Sequence, residues 1–170
     1  MLVKVFGSAV YGVEAMTITI EVDLATGTTG YFIVGLPDNA VKESIERILS
    51  AIKNNGFERP RTKVVVNMAP ADVKKAGSAY DLPIAIGMLA ATGQIPAEGL
   101  EEYIIMGELS LDGAVQPIKG SLPMAIQART EKFKGFILPK QNAREAALVN
   151  TLEVYGVDHI SEVTGFFNKT

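Results

Sequence analysis

The chain has 170 residues, a length typical of one domain with a substantial core. Hydrophobic residues make up 48% of it and charged residues 21%, as in folded globular proteins. A net charge of −3 gives no global attraction to nucleic acid, although a local basic patch is compatible with it. The absence of cysteine excludes disulfides and thiolate metal sites. No secretory signal or long apolar run is present, so we expect a cytoplasmic protein with no membrane partner.

The first third of the chain predicts two strands and a helix. Apolar residues alternate with polar ones over Met16–Val22, and a short apolar run covers Gly30–Val34, so both segments are predicted strands. Asp38 is placed to cap the following helix, and Gly56 is placed to end it. The apolar face of that helix is formed by Val41, Ile45, Ile48, Leu49 and Ile52. Its other face carries charges of both signs and is interpreted as solvent-exposed surface.

The middle of the chain predicts a buried strand and a buried helix. Lys63–Met68 is β-branched and is predicted to be a central strand. Ala79–Ala91 is small and apolar, which favours a closely packed helix with Pro83 in its first turn. Tyr103–Leu111 is strand-like, and the Asp-Gly pair that follows it predicts a hairpin turn.

The last third continues the alternation of helices and strands. Helices are predicted over Ser121–Lys132 and Gln141–Val149, and strands over Gly135–Leu138 and Leu152–Val154. Ser161 is placed to cap a short final helix. The whole succession predicts an α/β or α+β domain in which helices pack on a mixed sheet.

One segment, Asn67–Pro83 (NMAPADVKKAGSAYDLP), resembles the loop that carries the nucleophile in the Lon protease domain. Lon-type proteolysis needs a serine hydroxyl at the start of a helix and a lysine that acts as its base. In Lon the serine lies in a Lys-Asp-Gly-Pro-Ser-Ala-Gly loop just before an apolar helix. With the apolar helices in register, Ala79 falls at the nucleophile position and Ser78 at the preceding proline. A shift of one residue would restore a serine there.

A second segment, Gly107–Gly120 (GELSLDGAVQPIKG), resembles the Lon loop that leads to the catalytic lysine. The Gly-Glu pair, the hairpin and the Pro-Ile pair match in spacing, which puts Leu122 at the lysine position. Lys119 lies three residues earlier, in the turn. The resemblance therefore implies that both dyad positions, Ala79 and Leu122, have lost their catalytic side chains. The alternative is a residual serine hydrolase that uses Ser78 with Lys119.

The full pattern is similar to a narrower family. The strings GLPDNAVKESIERILSAIKNNGF and VNMAPADVKKAGSAYDLPIAIGMLAATGQI resemble the amino-terminal, ChlI-type domain of the ComM/YifB family of bacterial Mg-chelatase-like AAA+ ATPases. The resemblance covers Met1 to about Val163, so we expect residues 1–170 to form one domain at the front of a longer protein. It implies a Lon-protease-like fold, which is related to the second domain of a small-subunit ribosomal protein.

The resemblance also implies a function for the parent protein. In this family an AAA+ module follows the domain and assembles into a hexameric ring, and ComM-type members are implicated in DNA branch migration during natural transformation. The chain would then be a non-catalytic accessory domain that acts in ring assembly, in contact with single-stranded or branched DNA, or in both. A further alternative is a Mg-chelatase subunit in porphyrin metallation. No G-x-x-x-x-G-K-[ST] motif is present, so we expect no cofactor or metal here, and ATP and Mg only in the AAA+ module.

Two groups of basic residues are candidate DNA contacts. Arg59, Arg61 and Lys63 precede the Lys63–Met68 strand, whereas Lys74 and Lys75 follow it on the side of the Lon-like loop. A strand of about six residues would separate the groups by about 20 Å, so they need not form one patch. The functional interpretation is contact with DNA phosphates. The alternative is solvated loop charge on an acidic protein.

Two further residues of the Lon-like loop are expected to structure it. Asp81 lies in the first turn of the predicted helix, where its carboxylate could accept backbone N–H groups or favourably meet the helix dipole. Gly77 is assigned the same structural role. A metal site formed by Asp81 and Glu108 is the alternative, although two unlinked carboxylates do not define one.

Overall fold

Seven strands form one mixed sheet in the computed structural model, which describes all residues from 1 to 170. The nine strands are β1 Leu2–Tyr11, β2 Glu14–Ala25, β3 Gly30–Val34, β4 Lys63–Ala69, β5 Tyr103–Ile105, β6 Glu108–Leu109, β7 Val115–Gln116, β8 Gly135–Pro139 and β9 Glu153–Val157. The six α-helices are α1 Asn39–Lys42, α2 Ser44–Asn54, α3 Asp81–Ala91, α4 Ser121–Thr130, α5 Lys140–Ala146 and α6 Ile160–Asn168. β6 and β7 pair only with each other, as a hairpin.

The strand order of the large sheet is β3-β4-β2-β1-β5-β8-β9. β2 is antiparallel to both of its neighbours, and every other pairing is parallel. Six of the seven strands therefore run in one direction, and only β2 runs against them. Because of this, the segments that follow β1, β3, β4 and β5 all leave the sheet at the same edge. The segment that precedes β4 lies at the opposite edge.

Helix α3 lies against the centre of the sheet. Every one of its residues is buried, and it packs on β1 and β2. Gly87 makes this close approach possible, because a Cβ there would lie 2.7 Å from Val22 Cγ2 and 3.3 Å from Val5 Cγ2. Helix α4 contacts β1 and β2 as well, with Glu131, just after α4, accepting a hydrogen bond from Thr17 of β2. The predicted buried helix is thus confirmed as the central element of the core.

Most of the predicted elements are confirmed, and the exceptions are informative. The predicted strand Tyr103–Leu111 is interrupted at Gly107, whose backbone N–H and C=O bind Ala79 and Leu82 instead of a neighbouring strand. The cap of the last helix is His159, whose ring nitrogen accepts from the Ser161 N–H, so the prediction that Ser161 is the cap was wrong. Strand β1 had not been predicted.

One predicted helix is divided in the structure. The predicted helix after Asp38 is divided into α1 and α2 at Glu43, and the Asp38 carboxylate caps α1 by accepting from the Val41 N–H at 2.8 Å. None of the helices has the length and apolar character that crossing a membrane requires.

Candidate functional site

The two Lon-like loops meet in a cleft of about 530 Å³ at the edge where β1, β4 and β5 end. One wall is the end of β1, the second is the loop between β4 and α3, and the third is the turn between β7 and α4. The cleft is lined by Ser8, Ala9, Val10, Tyr11, Lys74, Ala76, Gly77, Ser78, Ala79, Tyr80, Met106, Glu108, Pro117, Ile118, Lys119 and Met124. The topology therefore brings together segments that are far apart in the sequence.

Ser78 points its hydroxyl at a carboxylate and not at a lysine. Its Oγ donates a hydrogen bond to Glu108 Oε1 across the cleft. Ala79, the residue that we predicted at the position of the Lon nucleophile, lines the cleft beside it and is partly buried. The Ala79 carbonyl accepts the Gly107 N–H at 2.8 Å, so the loop is fixed to the end of the β5 segment.

The position that we predicted to correspond to the Lon lysine is apolar and packs against the core. Leu122 lies in the first turn of α4, is half-buried and packs against the hydrophobic core, and it does not line the cleft. Lys119 does line the cleft and is exposed. The predicted pair Ser78 and Lys119 thus shares one cleft, although no hydrogen bond joins the two side chains.

The two adjacent lysines of the loop have opposite environments. Lys74 is exposed at the cleft, whereas Lys75 has no exposed surface. The Lys75 Nζ donates to the backbone carbonyls of Gly35, at 2.8 Å, and Pro70. Burial lowers the pKa of Lys75. Lys75 cannot reach a phosphate in this arrangement, which corrects its assignment as a DNA contact: it ties the loop to the segment after β3.

Several hydrogen bonds fix the loop in place. Asp38 accepts the Gly77 N–H at 3.2 Å with the carboxylate oxygen that α1 does not use. Gly77 has φ +90°, a value that favours glycine. The Tyr11 hydroxyl donates to the Lys74 carbonyl at 2.7 Å, and burial raises the pKa of Tyr11. The loop is therefore held from both sides of the cleft.

Asp81 lies behind the cleft and has no exposed surface. Its carboxylate forms a two-pronged ion pair with Arg47 of α2, with Nε–Oδ2 at 2.6 Å and Nη2–Oδ1 at 2.9 Å. The Leu109 N–H donates to the same carboxylate at 3.0 Å. Asp81 thus joins α3 to α2 and β6. Arg47 lies on the charged face of the helix after Asp38, which we interpreted as solvent-exposed surface; for Arg47 this was wrong, since only 23% of its side chain is exposed.

The other basic group lies at the opposite edge of the sheet, before β4. Arg59 and Arg61 are exposed and line a second concave surface. Lys63 is half-buried, with its Nζ 5.2 Å from the centroid of the Phe32 ring. The two basic groups are separate, and Lys63 is directed to an aromatic side chain of β3.

This sheet order, with a cleft formed by the two loops, defines a Lon-protease-like α/β fold. Over 159 residues the chain is 24% identical to the Lon protease of Brevibacillus choshinensis, an alignment that covers 86% of this chain and 20% of that protein. Residues 20–142 match the family model described as subunit ChlI of Mg-chelatase. The chain belongs to this ChlI family.

Two relatives align over nearly the whole chain. The competence protein ComM of Haemophilus influenzae is 41% identical over 167 residues, which cover 98% of this chain and 33% of ComM. The uncharacterized protein YifB of Escherichia coli is 42% identical over 158 residues, which cover 93% of this chain and 31% of YifB. The chain thus spans about a third of the length of the curated relatives it matches.

Several of these contacts leave no clear signal in the sequence. The bond from Ser78 to Glu108 joins residues 30 apart, and the pairing of Arg47 with Asp81 joins residues 34 apart. The burial of Lys75 beside the exposed Lys74 is equally invisible in a pair of adjacent lysines. Lys119 had been considered only as a base, and the fold adds that it shares the cleft with Lys74.

Proposed function

We propose that this chain is a non-catalytic accessory domain of a Mg-chelatase-like AAA+ ATPase, and that it contacts the DNA backbone from its cleft. One observation carries the proposal. At the two positions where the resemblance places the Lon dyad, the chain has Ala79, which lines the cleft, and Leu122, which does not, whereas two lysines, Lys74 and Lys119, line the cleft.

The contacts of Ser78 support the absence of catalysis. A serine nucleophile needs a neighbouring base that takes its proton as the hydroxyl attacks. The partner of Ser78 is the Glu108 carboxylate, and not the lysine amine that a Lon-type dyad uses as its base. Leu122 supplies no amine. The bond between Ser78 and Glu108 instead fixes the loop to the opposite wall.

The charges of the cleft support contact with DNA. Neither Lys74 nor Lys119 forms an ion pair, and neither side chain donates a hydrogen bond within the chain. Both are exposed, so both ammonium groups can reach a phosphate without first losing a protein partner. Each phosphate that a lysine neutralises releases condensed counterions, which favours binding at low salt.

The parent protein supplies the rest of this function. We infer an AAA+ module that binds ATP and Mg, forms a hexameric ring and drives branch migration of single-stranded or branched DNA, as proposed for the ComM type. In a ring, six copies of the cleft would act on one DNA molecule, so a weak contact in each copy is sufficient. Ring assembly through this domain is the second role that we assign to it.

A salt titration tests the DNA contact. Binding to fluorescein-labelled single-stranded and forked DNA is followed by anisotropy, with the oligomeric state fixed by light scattering. The Lys74→Gln/Lys119→Gln variant should reduce the slope of log K against log[salt] by about 1.4 on single strands, since each lost contact contributes about 0.7. Lys4→Gln/Lys134→Gln, which removes two lysines near the amino ends of β1 and β8, is the matched control. Equal slopes in both variants would contradict the proposal.

A separate measurement tests the absence of catalysis. A fluorophosphonate probe should leave Ser78 unlabelled, as judged by mass spectrometry of the intact chain. Labelling that disappears in Ser78→Ala would instead favour a residual hydrolase. A Lys119→Met variant would then show whether Lys119 is the base, because its loss should abolish the labelling.

A further inference from the structure

A second concave surface lies at the edge of the sheet opposite the cleft. It encloses about 590 Å³ and is lined by Thr29, Lys53, Phe57, Glu58, Arg59, Pro60 and Arg61. We call it the arginine surface. It is formed by the end of α2, the segment that leads into β4 and the turn before β3, and none of these elements contributes to the cleft.

The backbone of the arginine surface is held by side chains from other elements. The Gln94 side-chain amide accepts the Glu58 N–H at 2.8 Å and donates to the Glu58 carbonyl at 2.7 Å. The Tyr31 hydroxyl donates to the Pro60 carbonyl at 2.9 Å, and the Thr29 hydroxyl to the Arg61 carbonyl at 2.7 Å. The backbone is therefore fixed at Glu58, which precedes the first arginine, at Pro60, which lies between the two, and at Arg61 itself. A surface fixed in this way loses little conformational entropy when a ligand binds.

The cations of the arginine surface have no partners in the chain. Lys53, Arg59 and Arg61 form no ion pair, and none of their side chains donates a hydrogen bond. Glu58 is the one carboxylate that lines the surface. Three cations against one anion are concentrated here although the chain as a whole is acidic, with a net charge of −3. Such a concentration without compensation favours an anionic ligand.

We propose that the arginine surface binds phosphate groups, and specifically those of a nucleic-acid backbone. The guanidinium group presents a planar set of N–H donors that matches two phosphate oxygens at once. Arg59 and Arg61 alternate with the buried Pro60, so both extend from a fixed backbone, and Lys53 adds a third charge from α2. This site is distinct from the cleft and does not depend on it, because the two lie at opposite edges of the sheet.

The variant Arg59→Gln/Arg61→Gln tests the proposal. Both side chains are exposed, so the fold should be retained, which circular dichroism checks. With a short fluorescein-labelled single strand of mixed sequence, the salt slope should fall by about 1.4, for two lost contacts of about 0.7 each. Lys4→Gln/Lys134→Gln is the control that removes the same number of charges elsewhere. Arg59→Lys/Arg61→Lys should keep most of the slope but bind more weakly, because it keeps the charges and loses the paired donors.

A second arm identifies the source of the phosphate. Calorimetric titration with inorganic pyrophosphate shows whether a free phosphate compound occupies the arginine surface. Loss of DNA affinity in Arg59→Gln/Arg61→Gln with no pyrophosphate binding by the unmodified chain supports the nucleic-acid site. Pyrophosphate binding that the double variant abolishes, with no change in its DNA affinity, would assign the phosphate site to a small ligand and overturn the nucleic-acid part. If the double variant keeps its DNA affinity and the unmodified chain binds no pyrophosphate, the proposed phosphate site is wrong.

The proposed DNA contacts of the cleft and of the arginine surface can be tested independently. The Lys74→Gln/Lys119→Gln variant should keep the part of the salt slope that the arginine surface provides. The quadruple variant should lose the sum of the two reductions, since the sites share no residue and no contact. If only the lysine variant reduces the salt slope, the cleft binds DNA and the arginine surface does not. If only the arginine variant reduces it, the arginine surface binds DNA and the cleft does not.

Discussion

Replacing the partly buried Arg47 with methionine should strongly destabilise this chain. Arg47 holds the Asp81 carboxylate with two hydrogen bonds, at 2.6 and 2.9 Å, and Asp81 has no exposed surface. After the substitution, the Leu109 N–H at 3.0 Å would be the one remaining partner of that buried charge. The pair also joins α2 to α3, so both helices lose a connection.

The size of the expected stability loss follows from the burial of Arg47 and Asp81. Removing one member of a buried pair typically costs about 3–5 kcal/mol, because the other charge is left without compensation. Here 23% of the Arg47 side chain is exposed, so water can partly replace the guanidinium, and we expect the low end of the range, about 3 kcal/mol. For a chain of this size each kcal/mol shifts Tm by about 2–4 °C, so the expected shift is about 6–12 °C.

Urea unfolding followed by circular dichroism measures this loss. The control is Glu43→Gln, which removes a pair with the same arginine whose N–O distance is 4.0 Å and whose carboxylate side chain is 70% exposed. It should cost less than about 0.5 kcal/mol. The double variant Arg47→Met/Asp81→Leu should recover much of the loss, because it leaves no orphan charge. A loss in Arg47→Met no larger than in Glu43→Gln would refute the reasoning.

Two further predictions concern the backbone and a tyrosine. Gly35→Ala should lower the free energy of unfolding in urea by more than about 3 kcal/mol, because its Cβ would lie 2.0 Å from the Met68 carbonyl oxygen at φ +106°. Gly12→Ala is the control: its φ is +66° but the space around it is open, so it should lower the same free energy by only about 1 kcal/mol. Chiefly through its hydrogen bond to Glu153, the pKa of Tyr155 is raised to about 12. Because the folded state holds this proton more tightly than the unfolded state, the hydrogen bond contributes fully to stability below pH 10, and the contribution is lost between pH 10 and 12. Glu153→Gln should move this pKa toward 10 in a carbon NMR titration, and an unchanged pKa would show that the carboxylate is not the cause.

The regular elements of this fold could be predicted where local pattern and burial agree. Gly30–Val34 was predicted with its observed bounds, and the apolar run before Ala91 was recognised as a buried helix. Strand β1 was missed because Gly7, Ser8 and Ala9 are all buried, which removes the alternation expected of a half-buried strand. The break at Gly107 could not be predicted either, since it depends on hydrogen bonds to the α3 segment.

The candidate site could be located from the sequence, but its internal contacts could not. The two Lon-like loops identified the segments that form the cleft, because motif spacing is a property of the sequence. Which lysine is free and which is buried depends on the carbonyls of Gly35 and Pro70, and these come from the segments after β3 and β4. The same holds for Arg47, whose partner lies on another helix. Spacing along one helix shows which residues share a face, but it does not show what that face meets.

The cleft of this fold is maintained by backbone contacts and by residues outside the dyad positions. Gly107 bonds to Ala79 and Leu82 through its own N–H and C=O, so these contacts are independent of the side chain at position 79. Asp81 and Lys75 hold the same loop from beneath through Arg47 and two carbonyls. A change of the side chain at position 79 should therefore leave the loop in place. This separation explains how a Lon-like fold can keep an open cleft while the residues that line it change their chemistry.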